Sequence, residues 1–113
     1  MKIEHRFEKN ICIFQIEGNM VHEKMREFKS YLSPFLENQS LHGIAIDFAN
    51  VGVIDSAAIG VLVGIYKRLE EHEARLALFN LKSYNREAIE LNQLQNIILM
   101  YPTEAEALTA LNN

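Results

Sequence analysis

The sequence predicts an α/β domain with a mixed, mostly parallel sheet and helices mainly on one face. Apolar runs of strand length alternate with stretches whose apolar residues recur every three or four positions, in the order β-β-α-β-α-β-α-β-α. Strands that alternate with helices require crossover connections, and such connections join parallel strands. The 113 residues, 49% hydrophobic and 23% charged, fit one globular domain over 1–113.

The first third of the chain is predicted to form a hairpin and then a helix. The segment IEHRFEKNICIFQIEGN indicates two short strands around a turn at 8–10, with Gly18 closing the second strand. From Val21 the apolar period becomes that of an amphipathic helix. Pro34 is expected to end or kink that helix.

The remainder is predicted to alternate strands and helices. A third strand is expected over 42–48, a second helix from Ser56 to about His72, a fourth strand in ARLALFNL and a fifth in NIILMY. Ser83 is expected to cap the third helix, and Thr103 with Glu106 has the spacing of a capping box before the last helix. The predicted core comprises Phe14, Ile16, Phe28, Ile44, Ile46, Leu62, Leu76, Leu78 and Ile98.

Composition restricts the function classes. A net charge of −4 without a basic patch argues against nucleic-acid binding. No apolar stretch approaches the length that spans a bilayer, and the charged opening residues do not resemble a signal peptide. Cys12 is the only cysteine, so an internal disulfide is excluded, and it is expected to be a core residue. These features predict a cytoplasmic protein with no membrane insertion.

The junction between the third strand and the second helix is the strongest candidate site. The stretch VGVIDSAAIGVLVGIYKRL places Asp55 and Ser56 where an apolar strand gives way to a helix. The simplest interpretation makes Ser56 only a helix N-cap. However, parallel α/β sheets place their sites at this edge, and a phosphate on Ser56 would meet free first-turn N–H groups and the positive end of the helix dipole.

The second helix is unusual because its first two turns carry no charge. One stripe is an ordinary core face, but the other face is also apolar, with Ala57, Ala58, Gly60, Val61, Gly64 and Ile65. A helix that is apolar all round is either buried or covered by a partner. A partner surface is predicted over Ile54, Gly60, Val61, Gly64 and Ile65; a covering loop of the same chain is the alternative.

The stretch IAIDFANVGVIDSAAIGVLVGIYKRL resembles the signature of STAS domains, the fold of bacterial anti-sigma factor antagonists. The family typically reads Asp-Ser-Ser-Gly-Leu-Gly where this chain has DSAAIG over 55–60. Asp47 falls where many members have Asp or Asn, and YPTEAEAL is similar to the family's stretch before the last helix. The resemblance covers nearly the whole chain and agrees with the predicted order of elements.

The resemblance implies a regulatory function without catalysis. In such antagonists, the first serine after the aspartate is phosphorylated by a serine kinase of the histidine-kinase-like ATPase class, which is also the anti-sigma factor. That position is Ser56, with Asp55, Ala57 and Ala58 as its surroundings. The unphosphorylated form binds the kinase and frees a sigma factor, and a metal-dependent serine phosphatase restores it.

The chain also departs from the family pattern. Ala57 replaces a second serine, Ala58 replaces a glycine, and Gln93 stands where a glycine commonly follows the third helix. An acid that often precedes the first helix is missing from the segment GNMV at 18–21. The alternative function is therefore a constitutive adaptor or scaffold subunit of a signalling assembly or lipid transporter, with Ser56 only a cap.

Other chemistry finds little support in the sequence. A Gly-x-Ser-x-Gly elbow around Ser56 is absent, and the four histidines fall on separate elements without metal-ligand spacing. There is neither a P-loop nor a dinucleotide-binding fingerprint. The chain is thus expected not to be an enzyme and to use no cofactor or metal.

Overall fold

Five strands form one mixed sheet in the computed structural model, which describes all 113 residues. The strands are β1 (Lys2–Glu8), β2 (Ile11–Met20), β3 (Gly43–Ile54), β4 (Arg75–Phe79) and β5 (Leu99–Tyr101). The helices are α1 (Met25–Leu36), α2 (Ser56–Glu70), α3 (Ser83–Leu91) and α4 (Glu104–Asn112), and a 3-10 turn (His22–Lys24) precedes α1. The predicted order of elements is confirmed.

The strands lie in the sheet in the same order as in the chain. β1 pairs antiparallel with β2, and the pairs β2–β3, β3–β4 and β4–β5 are parallel. Each parallel pair is joined by a crossover helix, as parallel pairing requires. The predicted mixed, mostly parallel sheet is therefore confirmed.

The helices cover the two faces of the sheet unequally. α1, α2 and α3 bury the main core against one face, and every residue of the predicted core lies in it. α4 covers the other face with Ala107 and Leu111, which pack on Ile13, Ala45 and Phe79. The helices therefore lie mainly on one face, as predicted. No helix combines the length and apolar character needed to cross a membrane.

Several predicted boundaries are wrong. Gly18 does not close β2: it lies inside the strand with φ +115, beside a shift in the pairing with β3. The helix predicted from Val21 begins as the 3-10 turn and becomes α-helical only at Met25. Pro34 does not end α1, which continues to Leu36. β3 extends beyond Phe48 to Ile54 because β2 continues beside it, pairing Met20 with Ile54.

The predicted caps are correct at one of three helices. Thr103 caps α4 and accepts a hydrogen bond from the Glu106 N–H at 3.2 Å. α3 begins after Lys82, so Ser83 is already its first helical residue and makes no cap bond. α2 likewise has Asp55 as its N-cap, and Ser56 is its first helical residue. In both errors, the preceding residue has the extended backbone that an N-cap requires.

Candidate functional site at the start of α2

The Asp55 carboxylate fixes the start of α2. Its Oδ1 accepts a hydrogen bond from the Ala58 N–H at 3.0 Å, and its Oδ2 accepts one from the His22 N–H at 2.9 Å. These two bonds, first that from Ala58, hold the pKa of Asp55 below its ordinary value because they favour the ionised form. One side chain thus joins the first turn of α2 to the 3-10 turn before α1.

Ser56 is exposed at the first position of α2. Its hydroxyl has no hydrogen-bond partner within the protein, because Asp55 performs the capping. Of the first-turn N–H groups that a phosphate on Ser56 was expected to meet, that of Ala58 is not free, since it already donates to Asp55. A phosphate would instead stand beside a carboxylate. Because no base is hydrogen-bonded to the Ser56 hydroxyl, the site lacks the feature that activates a nucleophilic serine.

The segment before Asp55 is held in place by side chains from two other elements. Asn85 of α3 is 2% exposed; its Oδ1 accepts from the Ile54 N–H at 3.2 Å, and its Nδ2 donates to the Gly52 carbonyl at 3.0 Å. The Tyr84 hydroxyl donates to the same carbonyl at 2.8 Å. α3 therefore anchors the end of β3, and through it the position of Ser56.

A second anchor comes from β2. The Asn19 side-chain Oδ1 accepts a hydrogen bond from the Val53 N–H at 3.0 Å. The same side chain lies over Gly52, so closely that a Cβ on this residue would overlap Asn19 Oδ1. A side chain at this position would displace the Asn19 amide from its bond to Val53. Sequence reasoning missed Asn19, Tyr84 and Asn85 as supports of the site, because nothing in a local pattern shows that they meet the end of β3.

α1 and α2 enclose an open groove that begins beside Ser56. The groove has a volume of about 570 Å³, and its α2 side is formed by Ala57, Gly60, Val61, Gly64 and Ile65. Gly60 and Gly64 are exposed, and a Cβ on either would meet nothing within 4 Å. The apolar face of α2 therefore remains partly open along the glycines.

The predicted partner residues do not all lie on the surface. Ile65 is 4% exposed and belongs to the main core, as does Ala58, which was predicted among the surroundings of Ser56 and is fully buried. Ile54 and Val61 are half-buried, whereas Gly60 and Gly64 are exposed. The apolar face of α2 is thus partly core and partly groove, and α1, not a loop, lies over it.

Two cations without a salt bridge, Arg26 and Lys29, lie at the Ser56 end of the groove, together with Glu23. A second cavity of about 660 Å³ adjoins it and shares Lys29, Ala57 and Val61 with it. Arg26 also lines this cavity, and neither Arg26 nor Lys29 forms a salt bridge within the chain. At the far end, Arg68 pairs with Glu37 at 2.7 Å and with Glu71 at 3.0 Å. Of the cations that line the groove, only those near Ser56 are without an acidic partner in the chain.

Comparison with known proteins finds relatives of similar sequence and similar fold. The curated anti-sigma F factor antagonist of Paenibacillus polymyxa is 21% identical over 111 residues, covering 98% of this chain and 95% of that protein. An anti-sigma-factor antagonist (STAS) domain protein from Planctomyces limnophilus superposes with a TM-score of 0.89 at 20% identity, covering 98% of each chain.

A third relative has been solved in two states of phosphorylation. The phosphorylated form of the Bacillus cell fate determinant SpoIIAA superposes with a TM-score of 0.74 at 18% identity, covering 96% of this chain and 98% of that one. The unphosphorylated form gives a TM-score of 0.77 at 18% identity, covering 99% of both chains. The family model described as "STAS domain" matches residues 2–107. The chain therefore belongs to the STAS domain family.

Proposed function

We propose that this protein is an anti-sigma factor antagonist controlled by phosphorylation of Ser56. It binds an anti-sigma factor that is also a serine kinase, and this binding frees a sigma factor. The observation that carries the proposal is the exposed, unbonded hydroxyl of Ser56, which Asp55 leaves free at the head of the groove. The names of the Paenibacillus and Planctomyces relatives support it, as does the existence of a phosphorylated form of SpoIIAA.

The groove and its cations account for how a phosphate would release the partner. Phosphorylation adds about −1.5 to −2 charges at pH 7. This charge would stand next to Asp55, beside an apolar surface that a partner must desolvate on docking. It would also attract Arg26 and Lys29, which are otherwise free to meet acidic groups of the partner. The fold should change little, because Ser56 is exposed and makes no structural bond.

The proposal includes the enzymes that set the state of the serine. The kinase is of the histidine-kinase-like ATPase class, and a metal-dependent serine phosphatase removes the phosphate. The chain itself binds and is modified, without catalysing a reaction, and it acts in the cytoplasm. The partner surface is the exposed part of the groove around Gly60, Val61 and Gly64.

The test is phosphorylation by a candidate kinase from the host with Mg-ATP. Intact mass and site mapping should show one phosphate on Ser56, and the modified protein should lose affinity for the kinase. Ser56→Ala should take up no phosphate and bind permanently. The matched control is Ser83→Ala, because Ser83 is also an exposed serine at the first position of a helix. This control should be phosphorylated normally.

Two results would reject the switch. One is wild-type protein that binds the kinase yet takes up no phosphate, and the other is a phosphate on Ser56 that leaves the affinity unchanged. Either result would favour the constitutive adaptor, in which the groove binds a partner and Ser56 is only an exposed helical residue.

A further inference from the structure

The two edges of the sheet differ in how much backbone they leave open. β5 forms one edge and has three residues, whereas β1 forms the other, has seven residues and pairs only with β2. The outer side of an edge strand presents unpaired N–H and C=O groups that can pair with another strand. β1 is therefore the only edge long enough for extensive pairing with a second molecule.

The charges along β1 alternate in sign on one face. This face carries Lys2, Glu4, Arg6 and Glu8, all exposed, and the opposite face carries Ile3, His5 and Phe7. Phe7 is 51% exposed, so about half of this large apolar side chain is open to solvent. The strand thus has a charged face and an apolar face, both incompletely covered.

We propose that β1 pairs antiparallel with β1 of a second copy of this chain, about a twofold axis through His5. In this register, Lys2 faces the partner subunit's Glu8, and Glu4 faces the partner subunit's Arg6. Symmetry repeats both pairs, so four pairings of opposite charge form across the strands, in addition to the contacts of Lys2 with Glu4 and of Arg6 with Glu104 within each copy. On the other face, Ile3 lies opposite the partner subunit's Phe7.

The charge pattern selects this register over its neighbours. Moving the axis to Glu4 would place Lys2 opposite Arg6, and moving it to Arg6 would place Glu4 opposite Glu8; both put like charges together. Moving it by half a residue, which shifts the register by one position, would set charged side chains opposite the apolar face. Registers centred on Ile3 or Phe7 match charges but pair only the end of the strand. His5 alone uses the whole of β1 with complementary charge.

The apolar face adds a reason for Phe7 to be exposed in the monomer. His5 lies edge-on to Phe35 of α1 with ring centroids 4.7 Å apart, and Phe7 lies 6.1 Å from the same ring. In the dimer, the partner subunit's Ile3 would extend this aromatic group across the axis. The two five-stranded sheets would become one continuous sheet. β1 lies two strands away from β3, so both Ser56 sites would remain accessible, and the dimer does not depend on the proposed function.

The test uses charge exchange between two variants. By sedimentation velocity over a concentration series, wild type should dimerise. Glu8→Lys sets the introduced lysine opposite Lys2 twice in the dimer, and Lys2→Glu sets the introduced glutamate opposite Glu8 twice. Each variant alone should raise the dissociation constant of the dimer by roughly tenfold or more. An equimolar mixture should regain dimers, because every pair between the two variants is again of opposite charge.

The controls separate this register from general charge effects. Glu90→Lys makes the same charge change as Glu8→Lys on the exposed surface of α3 and should dimerise like wild type. Circular dichroism would verify that each variant is folded. A monomeric wild type at all concentrations would overturn the proposal, as would single variants that dimerise normally. A mixture that stays monomeric would overturn the register, since only the axis at His5 pairs positions 2 and 8.

Discussion

The roles of Asp55 and Ser56 are decided by one pair of backbone angles. Asp55 has φ −115 and ψ −176, an extended conformation, and the helical conformation begins with Ser56. An N-cap must be extended so that its side chain can turn back to the first-turn N–H groups. Asp55 therefore caps the helix, and the Ser56 hydroxyl makes no hydrogen bond within the protein.

Replacing the Asp55 carboxylate should destabilise the fold at neutral pH. In Asp55→Asn, the amide oxygen can still accept from Ala58, but the amide nitrogen cannot accept from the His22 N–H. We expect a loss of about 0.5–2 kcal/mol in the free energy of unfolding, the usual range for a helix cap. Urea denaturation of both proteins at pH 7 measures it. An unchanged free energy would mean that the bond to His22 contributes nothing.

The same pair of proteins should show a defined pH dependence. The pKa of Asp55 is lower in the folded state than in the unfolded chain, where it is about 3.9. Ionised Asp55 therefore stabilises the protein fully above that pH, and the contribution is lost as the pH falls through the folded pKa. The stability gap between wild type and Asp55→Asn should be constant from about pH 5 upward and should narrow on acidification. A gap that persists in acid would contradict this cause.

Among the elements, α3 stabilises a site that it does not itself contain. Its Asn85 is the only buried polar residue of the chain and bonds to both Gly52 and Ile54. The two bonds link α3 to the backbone just before the N-cap of α2. The position of Ser56 therefore depends on packing between segments about thirty residues apart in the chain.

Removing the Asn85 amide should loosen the end of β3. Asn85→Leu leaves the Ile54 N–H without its partner, and a buried unpaired donor costs about 1–3 kcal/mol. We expect that loss in urea denaturation, together with faster hydrogen exchange at the Ile54 amide. Asn92→Ala is the control, because its bond to the Ala88 carbonyl at 2.8 Å is exposed at the end of the same helix. Equal losses in the free energy of unfolding of the two variants would contradict a special role for Asn85.

A single substitution in α2 should raise the stability of the protein and lower its affinity for the partner. Gly60 lies inside the helix, and an added Cβ would meet nothing within 4 Å. Gly60→Ala should therefore stabilise the protein by about 0.5–1 kcal/mol, because alanine loses less backbone entropy in a helix. If the groove holds the partner, the new methyl group should lower the affinity for the kinase several-fold.

Thermal unfolding and a titration with the kinase would measure both effects of Gly60→Ala. Lys67→Ala is the control, because Lys67 is exposed on α2 outside the groove. Raised stability with unchanged affinity would remove Gly60 from the interface. By contrast, Ile65→Glu would place a charge in the core and unfold the protein, so that variant says nothing about binding.

At the scale of the whole molecule, the sequence predicts what is periodic and misses what is set by neighbours. Strand order, helix number and the core follow from apolar periods, which belong to each segment alone. The length of β3 does not, because residues 49–54 are strand only through pairing with β2. α1 continues through Pro34 also because of its neighbours, since Met25 and Leu32 of this helix are buried in the core.

The candidate site likewise has features that the local sequence shows and features that depend on distant parts of the chain. The junction of strand and helix, with Asp55 and Ser56, is visible as a local pattern. The groove is not, because burial of Ile65 and exposure of Gly60 depend on where α1 crosses α2. The anchors Asn19 and Asn85 are equally hidden, as each contacts residues of β3 more than thirty positions away.

Cys12 offers a measure of the stability of the whole sheet. It lies in β2, between β1 and β3, is fully buried, and burial raises the pKa of its thiol to about 12. A thiol reacts as its thiolate, so native Cys12 should resist an aromatic disulfide reagent at neutral pH. Labelling should require global opening, and its rate should give the free energy of unfolding.

Asn85→Leu should therefore lower the free energy of unfolding by the same amount whether it is measured by labelling of Cys12 or by urea denaturation. A Cys12→Ala/Ser83→Cys variant, with an exposed thiol, should label at once and provides the intrinsic rate. Rapid labelling of native wild type would show instead that β1 or α1 opens locally, and that the edge of the sheet is less stable than its centre.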